Sequence, residues 1–245
     1  YQAFRKNGLN TDIINMDQDL TGYQIIAAPM LYMFRSGIEQ KLRTFVQNGG
    51  ILIMTYWSGI VNETDLCHLG GTPHHLIDVL GIRSEEIDGL YDNQCNYMVP
   101  ASNNFMTLPA TYLCTHLCDL VQLKGAVPLM QYADNFYAGY PALTVHKYGD
   151  GLAFYLCADA EDTFYYDFYR QIIQEQELPV IMDHIPEGIE VSSRSSGRQE
   201  FIFAQNYTDS PIPFTLPGHA QILFGKYDGT IKEYSTLIYQ MEVKS

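Results

Sequence analysis

The sequence predicts an α/β layer built on buried parallel strands, followed by a small all-β antiparallel sandwich. Three observations carry that prediction. Residues 23–59 alternate strand, helix and strand signals across short links. The alternation stops before Pro179. From about residue 185, short β-type runs follow one another with Pro and Asp-Gly between them, the texture of a small antiparallel domain.

The first unit is the clearest. Ile25-Ile26-Ala27-Ala28 is an uninterrupted apolar run, as expected of a strand buried on both faces, and Pro29 closes it. Ser36 with Glu39 has the spacing of a capping box, so a helix is expected to start there. Ile38, Leu42, Phe45 and Val46 follow on one helical face, and Gly49-Gly50 can supply the left-handed terminator. Ile51-Leu52-Ile53-Met54 is a second wholly apolar strand, completing a parallel βαβ unit.

Upstream, residues 1–7 resemble the tail of a helix with Gly8 as its C-cap, and residues 9–15 are expected to form a strand. The link at 16–22 is too short for a parallel crossover, which takes about a dozen residues or more. The link is therefore expected to loop across an edge of the sheet, and a helix tail at the start implies a strand before it, so the expectation is an α/β domain truncated at its N-terminus. Downstream, a short helix over 74–80 ends at Gly81, and a strand is expected within 85–90. Residues 91–111 are polar and irregular, an excursion from the core. Residues 117–123, 126–132, 141–148 and 151–157 have strand character, with Gly149-Asp150-Gly151 as a hairpin turn. Asp162 opens a last helix with Phe164, Phe168, Ile172 and Ile173 on one face. In the β-domain, strands are expected within 190–206, 212–216, 220–224, 230–234 and 237–243. The boundary is placed near residues 183–186, giving domains of 1–184 and 185–245.

Composition excludes several functions. Fourteen Lys and Arg against 28 Asp and Glu leave a net charge of −14, which disfavours phosphate-neutralising nucleic-acid binding and anionic membrane surfaces alike. No apolar run approaches the roughly 20 residues of a membrane span. Five irregularly spaced cysteines suit reduced thiols in a cytoplasmic protein better than a disulfide framework. Cys114-Thr115-His116-Leu117-Cys118 invites a zinc reading, but no second ligand pair stands at customary spacing, and buried small hydrophobes are the plainer account. No metal and no cofactor is expected.

Residues 23–66, with the phrases Ala28-Pro29-Met30-Leu31-Tyr32, Phe45-Val46-Gln47-Asn48-Gly49-Gly50 and Ser58-Gly59-Ile60-Val61, resemble the trimerisation domain of glycoside hydrolase family 42 β-galactosidases. Gly81-Ile82-Arg83-Ser84-Glu85-Glu86 extends the likeness, and the tail from Arg198 to Asn206 is similar to that family's C-terminal β-domain. Trp57 stands where the family pattern leads one to expect a smaller aromatic, and Asn62 where an Asp is expected. The resemblance implies a flavodoxin-like parallel sheet with flanking helices, similar also to class I glutamine amidotransferases, and a homotrimer. It further implies that the intact enzyme cleaves β-galactosides in a catalytic barrel this chain lacks.

The residues themselves agree that chemistry is absent. A retaining glycosidase needs two carboxyls roughly 5–5.5 Å apart. Glu85, Glu86 and Asp88 flank a strand, while Asp159, Glu161 and Asp162 lead into a helix's first turn, where carboxylates favour the dipole. An amidotransferase-like hydrolase would carry a Cys on the turn at 55–59, and none is there. Ser58 in its place would need a base selected from His68, His74 and His75. A carbohydrate-binding module is the other alternative, since 19 Tyr and 12 Phe are available. No catalytic residue is therefore assigned. The loops at 57–68 and 71–75 are expected to form a protomer interface or active-site rim, with Trp57, Ser58, Glu63, Asp65, His68 and His74 as its candidate residues.

Overall fold

The computed structural model describes residues 1–103, 105–108 and 110–242. In chain order the elements are α1 (Gln2–Lys6), β1 (Ile25–Ala28), β2 (Met33–Phe34), α2 (Ile38–Gln47), β3 (Ile51–Thr55) and β4 (Val61–Asn62). Then come α3 (Ile77–Leu80), β5 (Ile82–Gly89), β6 (Asn96–Pro100), β7 (Tyr112–Leu123), β8 (Val127–Tyr132), β9 (Pro141–Tyr148), β10 (Gly151–Leu156), β11 (Ala158–Ala160) and α4 (Asp162–Glu175). The last six are β12 (Ile189–Ser196), β13 (Gln199–Asn206), β14 (Ile212–Pro213), β15 (Gln221–Phe224), β16 (Thr230–Ile231) and β17 (Thr236–Glu242). They form two compact units, residues 14–164 and residues 1–13 with 165–245.

The first unit is organised by a mixed sheet in the order β1-β3-β10-β9-β8-β6-β7-β11, with β5 on β7. Within this sheet, among the described residues, only β1–β3 and β3–β10 are parallel; the short β2–β4 pair outside it is parallel as well. The expected parallel sheet is therefore confined to one end, because the later strands are joined by links too short for a parallel crossover. The 149–151 turn gives the β9–β10 hairpin, as its sequence predicts. All five residues of β3 are buried, whereas β1 lies at the sheet edge and is only partly buried, unlike the expectation for both of its faces.

Helix α2 crosses between β1 and β3 and buries Ile38, Leu42 and Val46. Its expected capping box does not form: Gly37 occupies the N-cap at φ 90°, and no side chain caps the helix. The left-handed Gly37 starts the helix one residue later than that box requires, which puts Glu39 out of register. Two glycines behind this helix allow a close approach of backbones. A Cβ on Gly50 would lie 2.5 Å from the Phe45 ring. One on Gly151 would fall on the carbonyl oxygens of Val46 and Gly50.

The excursion at 91–111 is partly ordered as β6, which joins β7 to β8; residues 104 and 109 of it lie outside the described residues. Residues 9–15 form no strand. Asn10 instead donates from Nδ2 to Ser193 Oγ at 2.8 Å and accepts from the Ser193 amide at 3.0 Å. Ile13 is exposed, so this segment does not bury the apolar face that a strand would need.

In the second unit β12, β13, β17 and β15 make an antiparallel sheet, and β14 pairs with β16. Val191, Ile202, Ala204, Phe214, Leu237 and Tyr239 centre its core. The last strand was expected to include Val243, which lies outside the described residues. The N-terminal segment belongs here too: Phe4 stacks on Tyr169 with ring centroids 4.1 Å apart, and the Ile181 amide donates to Gly8 O at 2.9 Å.

Because the atoms around Gly151 are backbone and cannot swing aside, Gly151→Ala should destabilise the chain by about 2–3 kcal/mol in denaturant unfolding. Gly89→Ala, at a position with nothing within 4 Å and no positive φ, should change stability far less.

Candidate functional site

The C-terminal end of β3 is tied from several sides. Thr55 Oγ1 accepts from the Met30 amide at 2.8 Å, and the Tyr56 amide donates to Leu156 O at 2.7 Å. Ser58 Oγ donates to Thr55 O at 2.7 Å and accepts from the Leu31 amide at 3.0 Å. Between these fixed points Trp57 takes φ 55°, a left-handed backbone that costs a bulky residue on the order of 1–3 kcal/mol. Its amide donates to Asp119 Oδ2 at 3.3 Å. The chain therefore turns sharply and presents the Trp57 ring at the surface.

That ring begins an exposed apolar patch. Tyr32 meets Trp57 edge-on, with centroids 6.2 Å apart and planes at 78°. Met30 is exposed beside them in sequence. The Tyr32 hydroxyl donates to Asp65 Oδ1 at 3.3 Å, linking this pair to the loop after β4. There Asn62 Oδ1 accepts from the Thr64 amide, the Thr64 hydroxyl and the Leu66 amide. A neutral amide oxygen thus does the turn-forming work expected of an Asp. The loop holds out Leu66 at 66% exposure and Leu69 at 90%. Glu63 is exposed on the same loop.

His68 and His74 stack face to face with centroids 3.9 Å apart, and His74 meets His75 at 3.6 Å. Their backbones bind the same segment: the His68 amide donates to Ile60 O and the His74 amide to Gly59 O. Burial first, then the neighbouring His68 and His75, push the His74 pKa below its ordinary value, so this ring is neutral at pH 7.

Of the six candidate rim residues, the structure brings Trp57, Asp65, His68 and His74 onto one group of connected loops, with Glu63 exposed nearby in sequence. Ser58 differs. It is wholly buried, and both of its bonds go to backbone atoms, so it is an internal latch and not a nucleophile awaiting a histidine.

The carboxylate clusters are likewise engaged in local structure. Asp88 accepts from the Tyr137 hydroxyl at 2.8 Å, and Glu85 pairs with Arg83 at 3.4 Å. Glu161 accepts from the Leu113 amide at 2.8 Å, Asp159 lies 2.7 Å from His116, and Asp162 is in the first turn of α4. Cys114 and Cys118 are buried on β7 with their thiols pushed up by burial, while the His116 side chain is largely exposed. Among the described residues no group of three or more His, Cys, Asp or Glu is placed to hold a metal ion.

Sequence reasoning passed over Asp119. It is a buried carboxylate, 1% exposed, whose Oδ2 also accepts from the Tyr155 hydroxyl at 2.6 Å. Burial raises its pKa to about 6, against the opposing effect of the Tyr155 and Trp57 bonds. The signal was present as the one charged residue inside the apolar strand run of 117–121.

Comparison with known proteins gives this surface its context. The family model described as "Beta-galactosidase trimerisation domain" matches residues 1–179, and "Beta-galactosidase C-terminal domain" matches residues 188–241. Beta-galactosidase Pbg of Clostridium perfringens is 42% identical over 209 residues, 85% of this chain and 30% of that protein. BglY of Alicyclobacillus acidocaldarius is 39% identical over the same shares. The solved β-galactosidase of Rahnella sp. R3 superposes with a TM-score of 0.89 at 41% identity, covering 99% of this chain and 36% of that one. That of Bacillus circulans sp. alkalophilus also scores 0.89, at 31% identity, with 98% and 36% covered. The chain thus spans about 30% of the length of the curated relatives it matches. It belongs to the glycoside hydrolase family 42 β-galactosidases, of which it comprises the trimerisation and C-terminal domains.

Proposed function

We propose that this chain is the non-catalytic assembly portion of a β-galactosidase that hydrolyses terminal β-D-galactosides with retention and works as a homotrimer. The carrying observation is the exposed apolar patch of Met30, Tyr32, Trp57, Leu66 and Leu69 on loops fixed by the end of β3. Large apolar side chains exposed together on one group of connected loops mark surfaces where proteins meet, and aromatic and Met side chains are enriched there. The matched family model's description as a trimerisation domain and the relatives' printed names support the same reading. Trp57, Glu63, Asp65, His68 and His74 meet a neighbouring protomer, and Trp57 or Glu63 borders its substrate funnel.

The β1-α2-β3 crossover with β10 beside it supports a reduced flavodoxin-like layer, and the second unit is read as a small sandwich. The domain boundary is placed at 184/185, within the interval that neither family model covers. Five free cysteines support a reducing, cytoplasmic setting. The charge of −14 argues against nucleic acid and membrane as partners, and no helix among the described residues is long and apolar enough to cross a bilayer.

Three substitutions separate surface from latch. Trp57→Ala or Leu69→Asp should weaken self-association at least tenfold, about 1.4 kcal/mol, in sedimentation equilibrium while leaving thermal unfolding nearly unchanged. Association equal to that of the parent chain in both would refute the interface. Ser58→Ala strands the Leu31 N–H and the Thr55 C=O, and should lower unfolding stability by about 1–3 kcal/mol.

A further inference from the structure

We infer that Asp119 is a positioning residue whose ionised carboxylate holds Trp57 in its outward pose, so that the pose of this interface residue follows the protonation of one buried group. The inference rests on the reading of Trp57 as an interface residue only for its biological consequence. The geometry beneath it is independent of assembly.

Asp119 Oδ2 receives two donors, the Tyr155 hydroxyl at 2.6 Å and the Trp57 amide at 3.3 Å. The backbone on which the second bond acts is the left-handed one at φ 55°. Hydrogen bonds to an ionised acceptor are shorter and roughly twice as strong as neutral ones. Placing a proton on the carboxyl therefore weakens the hold on a residue that already resists its conformation. Oδ1 is buried and has no hydrogen-bond partner among the described residues, so it is open to that proton. Tyr155 is fully buried and anchors the carboxylate through its hydroxyl.

The groups around Asp119 leave it as the one that changes charge there. Tyr155 on β10, Tyr132 on β8, Cys118 on β7 and Cys157 after β10 are all held neutral by burial. Opposite Asp119 on β5 stands Ile87, flanked by Glu86 and Asp88, the latter engaged by Tyr137. On the surface side, Asp65, His68, His74 and His75 belong to the loops near Trp57. The titration of Asp119 lies near pH 6, above that of an ordinary carboxylate. Since the Tyr155 bond lowers this pKa, removing that hydroxyl must raise it.

Trp57 is the single tryptophan of the chain, so its emission reports this pose directly. The test is the pH titration of tryptophan fluorescence in the 245-residue chain, repeated at high and low protein concentration. The parent chain should show a concentration-independent transition near pH 6. Asp119→Asn should lose it, and Tyr155→Phe should move its midpoint to higher pH. An emission change that arises from any other group would survive Asp119→Asn. A flat titration in the parent, or an unchanged transition in Asp119→Asn, overturns the inference. If Asp119→Asn fails to fold by circular dichroism, Tyr155→Phe decides, and an unmoved midpoint there is equally fatal. An emission transition that depends on Asp119 supports the inference even where Trp57→Ala leaves association intact, an outcome that overturns only the interface.

Discussion

The feature on which the rest depends is the way the end of β3 is pinned. β3 lies between β1 and β10 in the parallel part of the sheet, and every residue in it is buried. Its last residue and the three that follow are bonded to the β1 loop, to β10 and to β7 through Met30, Leu31, Leu156 and Asp119. With Tyr56 and Ser58 buried on either side of it, Trp57 is the residue of this segment whose side chain reaches the surface. The exposed patch is therefore a consequence of the buried end beneath it. Small residues permit this: Gly50 and Gly151 bring α2, β3 and β10 within backbone contact.

The polar groups beneath this surface are largely engaged in local structure. Ser58 spends both capacities of its hydroxyl on backbone atoms, while Glu161, Asp88 and Glu85 are engaged by an amide, a hydroxyl and a cation. A catalytic group has to be poised and partly unsatisfied. The buried carboxylate that comes closest, Asp119, faces inward under the loop that it supports. The stacked imidazoles of His68 and His74 also act as loop fasteners, each bound through its own amide to the chain leaving β3.

Much of the parallel core was legible in the sequence because its signals are local. The apolar run at 51–54, the face formed by Ile38, Leu42 and Val46, the 149–151 turn and the terminator Gly81 each act within a few residues. What was illegible depends on partners distant in sequence. Residues 9–15 have the composition of a strand, yet Asn10 is claimed by Ser193, 183 positions away. The Ser36–Glu39 spacing suits a cap, but Gly37 adopts a left-handed backbone first. Among the candidate site residues, Trp57, Asp65, His68 and His74 lie on connected loops that follow a buried strand, which is the position their sequence order implies. Ser58 turns inward, and position in a loop does not reveal which way a side chain turns. Leu66 and Leu69 were missed individually because only the Asn62 turn makes them protrude.

Hydrogen–deuterium exchange on the chain over a range of protein concentration tests most directly whether this rigid patch is a surface made for a second copy. The account predicts that segments 30–33 and 57–69 gain protection as concentration rises, while the exposed edge strand at 221–224 keeps its exchange rate. Protection confined to other segments, or exchange at 57–69 indifferent to concentration while the mass increases, would contradict it.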